Sequence, residues 1–99
     1  MENNIMQEDL QIMRRLQTIK GHVNAVEQMI AEEKSYEDII FQLEAIRAAV
    51  AKTTSVAAQY YAQTCISEAL QDGDKNIDAL NKAIEILVRV SQFTTESIN

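Results

Sequence analysis

Ninety-nine residues pass without a single proline, and glycine occurs only at Gly21 and Gly73. Those are the residues on which tight turns draw, and both are poor inside helices. A chain without them has few ways to reverse direction and few interruptions to helical pairing, so long helices are expected. Apolar residues make up 46% of the chain, enough for a packed core rather than a disordered tail. Such a length makes one domain at most. A chain this short buries only about two-thirds of its surface, so a partner subunit would add burial.

The apolar spacing divides the chain into three helices. Helix 1 is expected over about residues 5–33, with Asn4 as its N-cap and Gln7 three residues on. Its stripe of Ile12, Leu16, Ile19, Val23, Val26 and Ile30 alternates spacings of four and three. Gly21 interrupts that helix at about 1 kcal/mol relative to alanine, tolerable at an exposed position or where another backbone comes close. Helix 2, over about 36–71, follows Ser35, with Asp38 three residues later as the capping signal. Ile39, Leu43, Ile46, Val50, Thr53, Ala57 and Tyr60 form its stripe, but small apolar residues surround the rest of the cylinder from 45 to 66. A helix of that kind is expected to be buried all round. Gly73 then marks a C-terminal cap, and Asp74 or Asn76 starts helix 3 at about 77–93, with Ile77, Leu80, Ile84, Leu87 and Ser91 in register. The tail TTESIN is expected to fray.

The expected fold class is therefore all-α, a single helical domain over 1–99 with three helices per protomer. Helices of nearly thirty residues or more run about 40 Å or longer, whereas a compact domain of this size has a radius of gyration near 13 Å. An antiparallel helical dimer, or a higher assembly, resolves that mismatch.

Charge and cysteine usage narrow the function. The formal net charge is −6, which argues against indiscriminate nucleic-acid binding. Yet five of the nine basic residues fall in two windows free of carboxylates: Arg14, Arg15 and Lys20 between Asp9 and Glu27, and Arg47 and Lys52 between Glu44 and Glu68. Buried helix segments exclude carboxylates in any case, so composition alone favours the plainer explanation over two basic surfaces. One cysteine allows no intrachain disulfide, and a free thiol suits the reducing cytoplasm. MENNIMQEDL shows no signal-peptide pattern, and no stretch has the apolar length of a membrane span. There is no glycine-rich phosphate loop, no nucleophile–base set, and no CxxC, HxxxH or HExxH motif. Neither a catalytic residue nor a cofactor is nominated, and the protein is not expected to be an enzyme.

Tyr61 and Cys65, four apart in QYYAQTC, share one helix face. They are either ordinary packing or half of a ligand site. A wider pattern bears on that choice. The stretch RRLQTIKGHVNAVEQMIAEEKSYEDIIFQLEAIRAAVAK resembles the core of the CsoR/RcnR/FrmR family of bacterial transcriptional repressors. The resemblance is carried by Arg14-Arg15-Leu16, by Ile19 and Gly21, by Met29-Ile30 with Glu32-Glu33, by Gln42 through Ala49, and by Lys52, and it covers about residues 9–70.

The resemblance implies three helices per protomer, dimers pairing into a dimer-of-dimers tetramer, and repression of operator DNA until an effector releases it. Arg15 and Lys52 match basic positions of the family's DNA face, and Arg14, Lys20 and Arg47 support them. Thr18, Asn24 and Gln28 stand where many relatives are basic, and His22 replaces the usual glutamine. Alignment on AIRAA places Tyr36 and Tyr61 where copper-sensing members carry a cysteine and a histidine, so only Cys65 survives of that site. A neutral phenol and one thiol make a poor Cu(I) site. The resemblance thus implies an effector site at Tyr36, Tyr61 and Cys65 for an unknown small effector, with no metal. Cys65 itself is a reactive thiol, a pocket wall or inert core. The rival expectation is a helical small-molecule-binding or interaction protein that has lost DNA binding.

Overall fold

The computed structural model describes the backbone of residues 6–72 and 77–98, and the side chains of 6–71 and 77–92. Three helices follow in order: α1 (Gln7–Ala31), α2 (Tyr36–Asp72) and α3 (Ile77–Ile98). No strand occurs among the described residues, and none of the described helices is long and apolar enough to cross a membrane.

The boundaries differ from the sequence expectation in ways the backbone explains. Asn4 lies outside the described residues. α1 begins at Gln7 rather than about residue 5. Its N-cap is Met6, in extended conformation and without a side-chain cap bond; Leu10 N–H donates to the Met6 carbonyl at 3.0 Å. Glu8 and Asp9 place negative charge against the positive end of the helix dipole. At the other end α1 stops at Ala31, not 33, because Glu33 turns to φ 60°. Glu33 N–H then reaches the Ile30 carbonyl and Lys34 N–H the Met29 carbonyl, both at 3.0 Å. That is the Schellman closure, here made with a glutamate where glycine is usual. Ser35 caps α2 as the sequence suggests: Asp38 N–H donates to Ser35 Oγ at 3.1 Å. Gly73, Asp74 and Asn76 lie outside the described residues. α3 runs on to Ile98, through most of the tail expected to fray.

The chain forms two compact units that meet within α2, residues up to Thr53 in the first and from Thr54 in the second. The first packs α1 with the N-terminal half of α2. Val26, Ile39 and Thr53 are its buried side chains, and Thr53 satisfies its hydroxyl on the Ala49 carbonyl at 2.8 Å. His22 and Gln42 join the two helices by a side-chain hydrogen bond of 2.7 Å. Gly21 faces open space, with nothing within 4 Å of where a Cβ would stand.

The second unit packs the C-terminal half of α2 with α3. Ala62, Cys65 and Ala69 of α2 form a buried cluster with Ala79 and Ala83 of α3. The α3 register singled out in the sequence is therefore not the one buried here. Ile77, Leu80, Ile84 and Leu87 are exposed, about 110° around the helix from the face of Ala79, Ala83, Ile86 and Val90. Small side chains let two helices approach closely, and in one protomer the alanine face takes that contact. α2 departs from expectation in the same way. It is not buried all round: Leu43, Val50, Tyr61 and Ile66 are exposed, while Ala58, Ala62, Cys65 and Ala69 are buried.

Candidate functional site

The five nominated cations all fall in the first unit, three on α1 and two on α2. Arg14, Lys20 and Lys52 are exposed and make no ion pair among the described residues. Arg47 is paired with Glu44 at 2.8 Å, both side chains more than half exposed. Such a surface pair is worth no more than about 1 kcal/mol and yields readily to a phosphate. Arg15 differs from the rest. It is half-buried, and its Nε is out of contact with water and has no hydrogen-bond partner among the described residues. Two neutral positions of α1 are tied locally: Thr18 Oγ1 donates to the Arg14 carbonyl at 3.2 Å, and Gln28 Nε2 to Glu32 at 2.9 Å.

The nominated effector residues separate. Tyr36 opens α2 in the first unit and is 82% exposed. Tyr61 and Cys65 lie together in the second unit, one turn apart on α2. Cys65 is 4% exposed, enclosed by the alanine cluster. Tyr61 is 45% exposed. A hydrogen bond to Cys65 pushes the Tyr61 phenol above its usual 10.0, helped by partial desolvation and by the negative charges of Glu68 and Glu85. Tyr61 is therefore a neutral hydrogen-bonding group at physiological pH.

Beside Tyr61 a cleft of about 410 Å³ opens between the two helices of this unit. Thr54, Ala57, Ala58 and Tyr61 line it from α2, and Lys82, Glu85, Ile86, Arg89 and Val90 from α3. Alanines on one wall facing isoleucine and valine on the other leave the volume unfilled. Cys65 is not among the residues that line it. The sequence reading missed Lys82, Glu85 and Arg89. They stand at spacings of three and four, but the larger apolar stripe on the same helix dominates its periodicity.

Among the described residues no group of three or more His, Cys, Asp and Glu comes together. His22, the chain's one histidine, is in the first unit and engaged by Gln42. A soft ion such as Cu(I) prefers thiolate and imidazole, and Tyr61 offers Cys65 a neutral phenol instead.

Comparison with known proteins places this arrangement. Residues 8–87 match the family model described as metal-sensitive transcriptional repressor. The chain belongs to that family. Family members are repressors and not enzymes. Among relatives of the CsoR family, the copper-sensing transcriptional repressor CsoR of Mycobacterium tuberculosis (strain H37Rv) is 27% identical over 82 residues. That match covers 83% of this chain and 65% of the mycobacterial protein, just under two-thirds of its length. The copper-sensing repressor CsoR of Bacillus subtilis (strain 168) is 24% identical over 82 residues, covering 83% of this chain and 80% of that protein. Among solved structures, the nickel-responsive transcriptional regulator InrS superposes with a TM-score of 0.68 at 20% identity, over 87% of this chain and 97% of its own. The three-helix CsoR-like fold is common to both.

Proposed function

We propose that the protein is a DNA-binding transcriptional repressor, released by a small effector other than Cu(I), and that it acts in the cytoplasm as a homodimer or a homotetramer. The observation that carries this reading is the family match over residues 8–87, which runs through every nominated cation. Both units then act as one regulatory domain over 1–99. Arg15 and Lys52, supported by Arg14, Lys20 and Arg47, make the phosphate contacts that position the complex on the duplex. Arg15 and Lys20 flank opposite edges of the α1 stripe, so a continuous surface draws on several protomers. The exposed apolar residues of both units, above all the α3 stripe, are suited to contacts between copies. Light scattering that finds a monomer at micromolar concentration would remove that assembly.

Effector binding at Tyr61 and Cys65, with Tyr36 supplied by another protomer, shifts the assembly between two packings. The shift is only as large as the difference in affinity for the two. The donor chemistry around Cys65 is what argues against copper here, although the named relatives sense it. Tight stoichiometric Cu(I) in equilibrium dialysis at neutral pH would overturn that part.

A second reading has its own support. The net charge of −6 and the neutral, locally bonded Thr18 and Gln28 suit a small-molecule-binding or interaction protein that has lost DNA binding. Fluorescence anisotropy with DNA from upstream of its gene, at two salt concentrations, separates the two. Saturable, salt-sensitive binding is expected of the repressor; no binding at low salt by a folded oligomer favours the rival.

A further inference from the structure

The cleft of the second unit carries more chemistry than the reading above uses. Lys82 and Arg89 both line it. They stand seven residues apart on one face of α3, about 10.5 Å along the axis. Glu85 lies between them, at the three- and four-residue spacings at which helical ion pairs form. Its carboxylate nevertheless pairs with neither, and neither cation has another ion-pair partner among the described residues. Among the lining residues two cations stand against one carboxylate, on a chain whose net charge is −6, while at the Tyr61 end the charges of Glu68 and Glu85 prevail. Beneath these charges the floor is apolar, and the volume of about 410 Å³ lies in the range of small-molecule sites, roughly 300–1,000 Å³.

The geometry points to a binding site for a small organic anion: a carboxylate on a compact apolar body. Lys82 or Arg89 takes the carboxylate, and Ala57, Ala58, Ile86 and Val90 take the body. One negative charge matches the one cation in excess among the lining residues, at the Lys82 and Arg89 side away from Glu68. A bare inorganic anion would leave the apolar floor uncovered, and a cation would meet Lys82 and Arg89. The Tyr61 hydroxyl stands at the edge as a neutral hydrogen-bonding group. The inference rests on reading Tyr61 as part of the effector site, and it gives that site a ligand class.

The test uses the full chain without DNA and para-fluorobenzoate as the probe, followed by fluorine NMR. Para-fluorobenzamide serves as the uncharged isostere. Saturable binding of the benzoate is expected, with the amide at least about tenfold weaker, as for loss of one charge-assisted hydrogen bond. Lys82→Gln with Arg89→Gln should lower benzoate affinity by at least about tenfold as well. Both side chains are exposed, so the fold should persist by circular dichroism, and Lys34→Gln, in the first unit, should leave binding unchanged. Equal binding of the two probes, no benzoate binding at millimolar concentration, or full affinity in the double variant overturns the site. A separate titration adds the benzoate to the DNA complex. Release of DNA supports both the site and the effector reading. Benzoate binding to the free protein with no change in DNA affinity supports the site and counts against Tyr61 as an effector residue.

Discussion

In the first unit the buried positions belong to branched side chains, Val26, Ile39 and Thr53; in the second they belong to alanine and one cysteine. The surfaces differ in the same sense. The first unit displays the five nominated cations and ties α1 to α2 through His22 and Gln42, whereas the second keeps Lys82 and Arg89 beside a cleft. Branched residues fill the space between helices they hold apart. Alanines bring helices close at one level, and leave a gap where they face larger side chains at another. One helix, α2, can thus supply a solid face along one half and a cavity along the other. On the proposed reading, the DNA contacts belong to the first unit and the cleft that takes the ligand to the second, with Tyr36 the one effector residue on the first.

Charge reversal at Arg15 is the strongest way to break that division. Arg15→Glu should weaken DNA binding by roughly ten- to a hundredfold, as for loss of a charged hydrogen bond, while para-fluorobenzoate binding stays unchanged. Unaltered DNA affinity in anisotropy would move the DNA face elsewhere. The alanine interface is tested next by Ala83→Leu. Overpacking a position only 3% exposed should cost about 1–3 kcal/mol in urea unfolding. No loss would mean that the contact is looser than the second unit shows.

Much of this was legible in the sequence, and the misses share a cause. Three helices follow from the lack of proline and the periodicity, and Ser35 announced its own cap. The end of α1 was less visible, because nothing in Glu33 signals a left-handed backbone in the way glycine would. The buried face of α3 was missed because periodicity weighs large residues most, whereas close packing of two helices selects small ones. Ile77, Leu80, Ile84 and Leu87 are a real stripe, but a single protomer leaves it uncovered. For the site, the i, i+4 spacing of Tyr61 and Cys65 puts the two one turn apart on α2. It said nothing of the opposite wall, since which residues of α3 face them depends on the register between helices.

Smaller effects sharpen the comparison at the ends of the helices. Ser35→Ala removes the α2 cap and should cost about 1 kcal/mol in thermal or urea unfolding. A neutral result would show that the first turn of α2 frays already. Glu33→Gly relieves the left-handed strain and should stabilise by a similar or smaller amount, up to about 1 kcal/mol. A loss of stability would mean that the glutamate side chain contributes more than its backbone strain removes.

The gentlest probe is the Tyr61 titration, followed by phenolate absorbance in a Tyr36→Phe, Tyr60→Phe background. Tyr61 should ionise above pH 10.0, and Cys65→Ala should bring it down by removing the leading cause. Because the folded protein holds this proton more tightly, the stabilising contribution is fully present below the unfolded phenol's pKa. It is lost as pH rises through the folded value. An unshifted titration in the parent would mean that the bond to Cys65 is not formed in solution.

The burial of Cys65 has one more consequence. It is the chain's sole thiol, and it sits where α2 and α3 touch, so a thiol-specific reagent can reach it only when those helices part. The rate of its labelling under native conditions is then a clock for the opening of the second unit, read without engineering a cysteine into the chain. A ligand that bridges the two walls of the cleft should slow that clock in proportion to its occupancy.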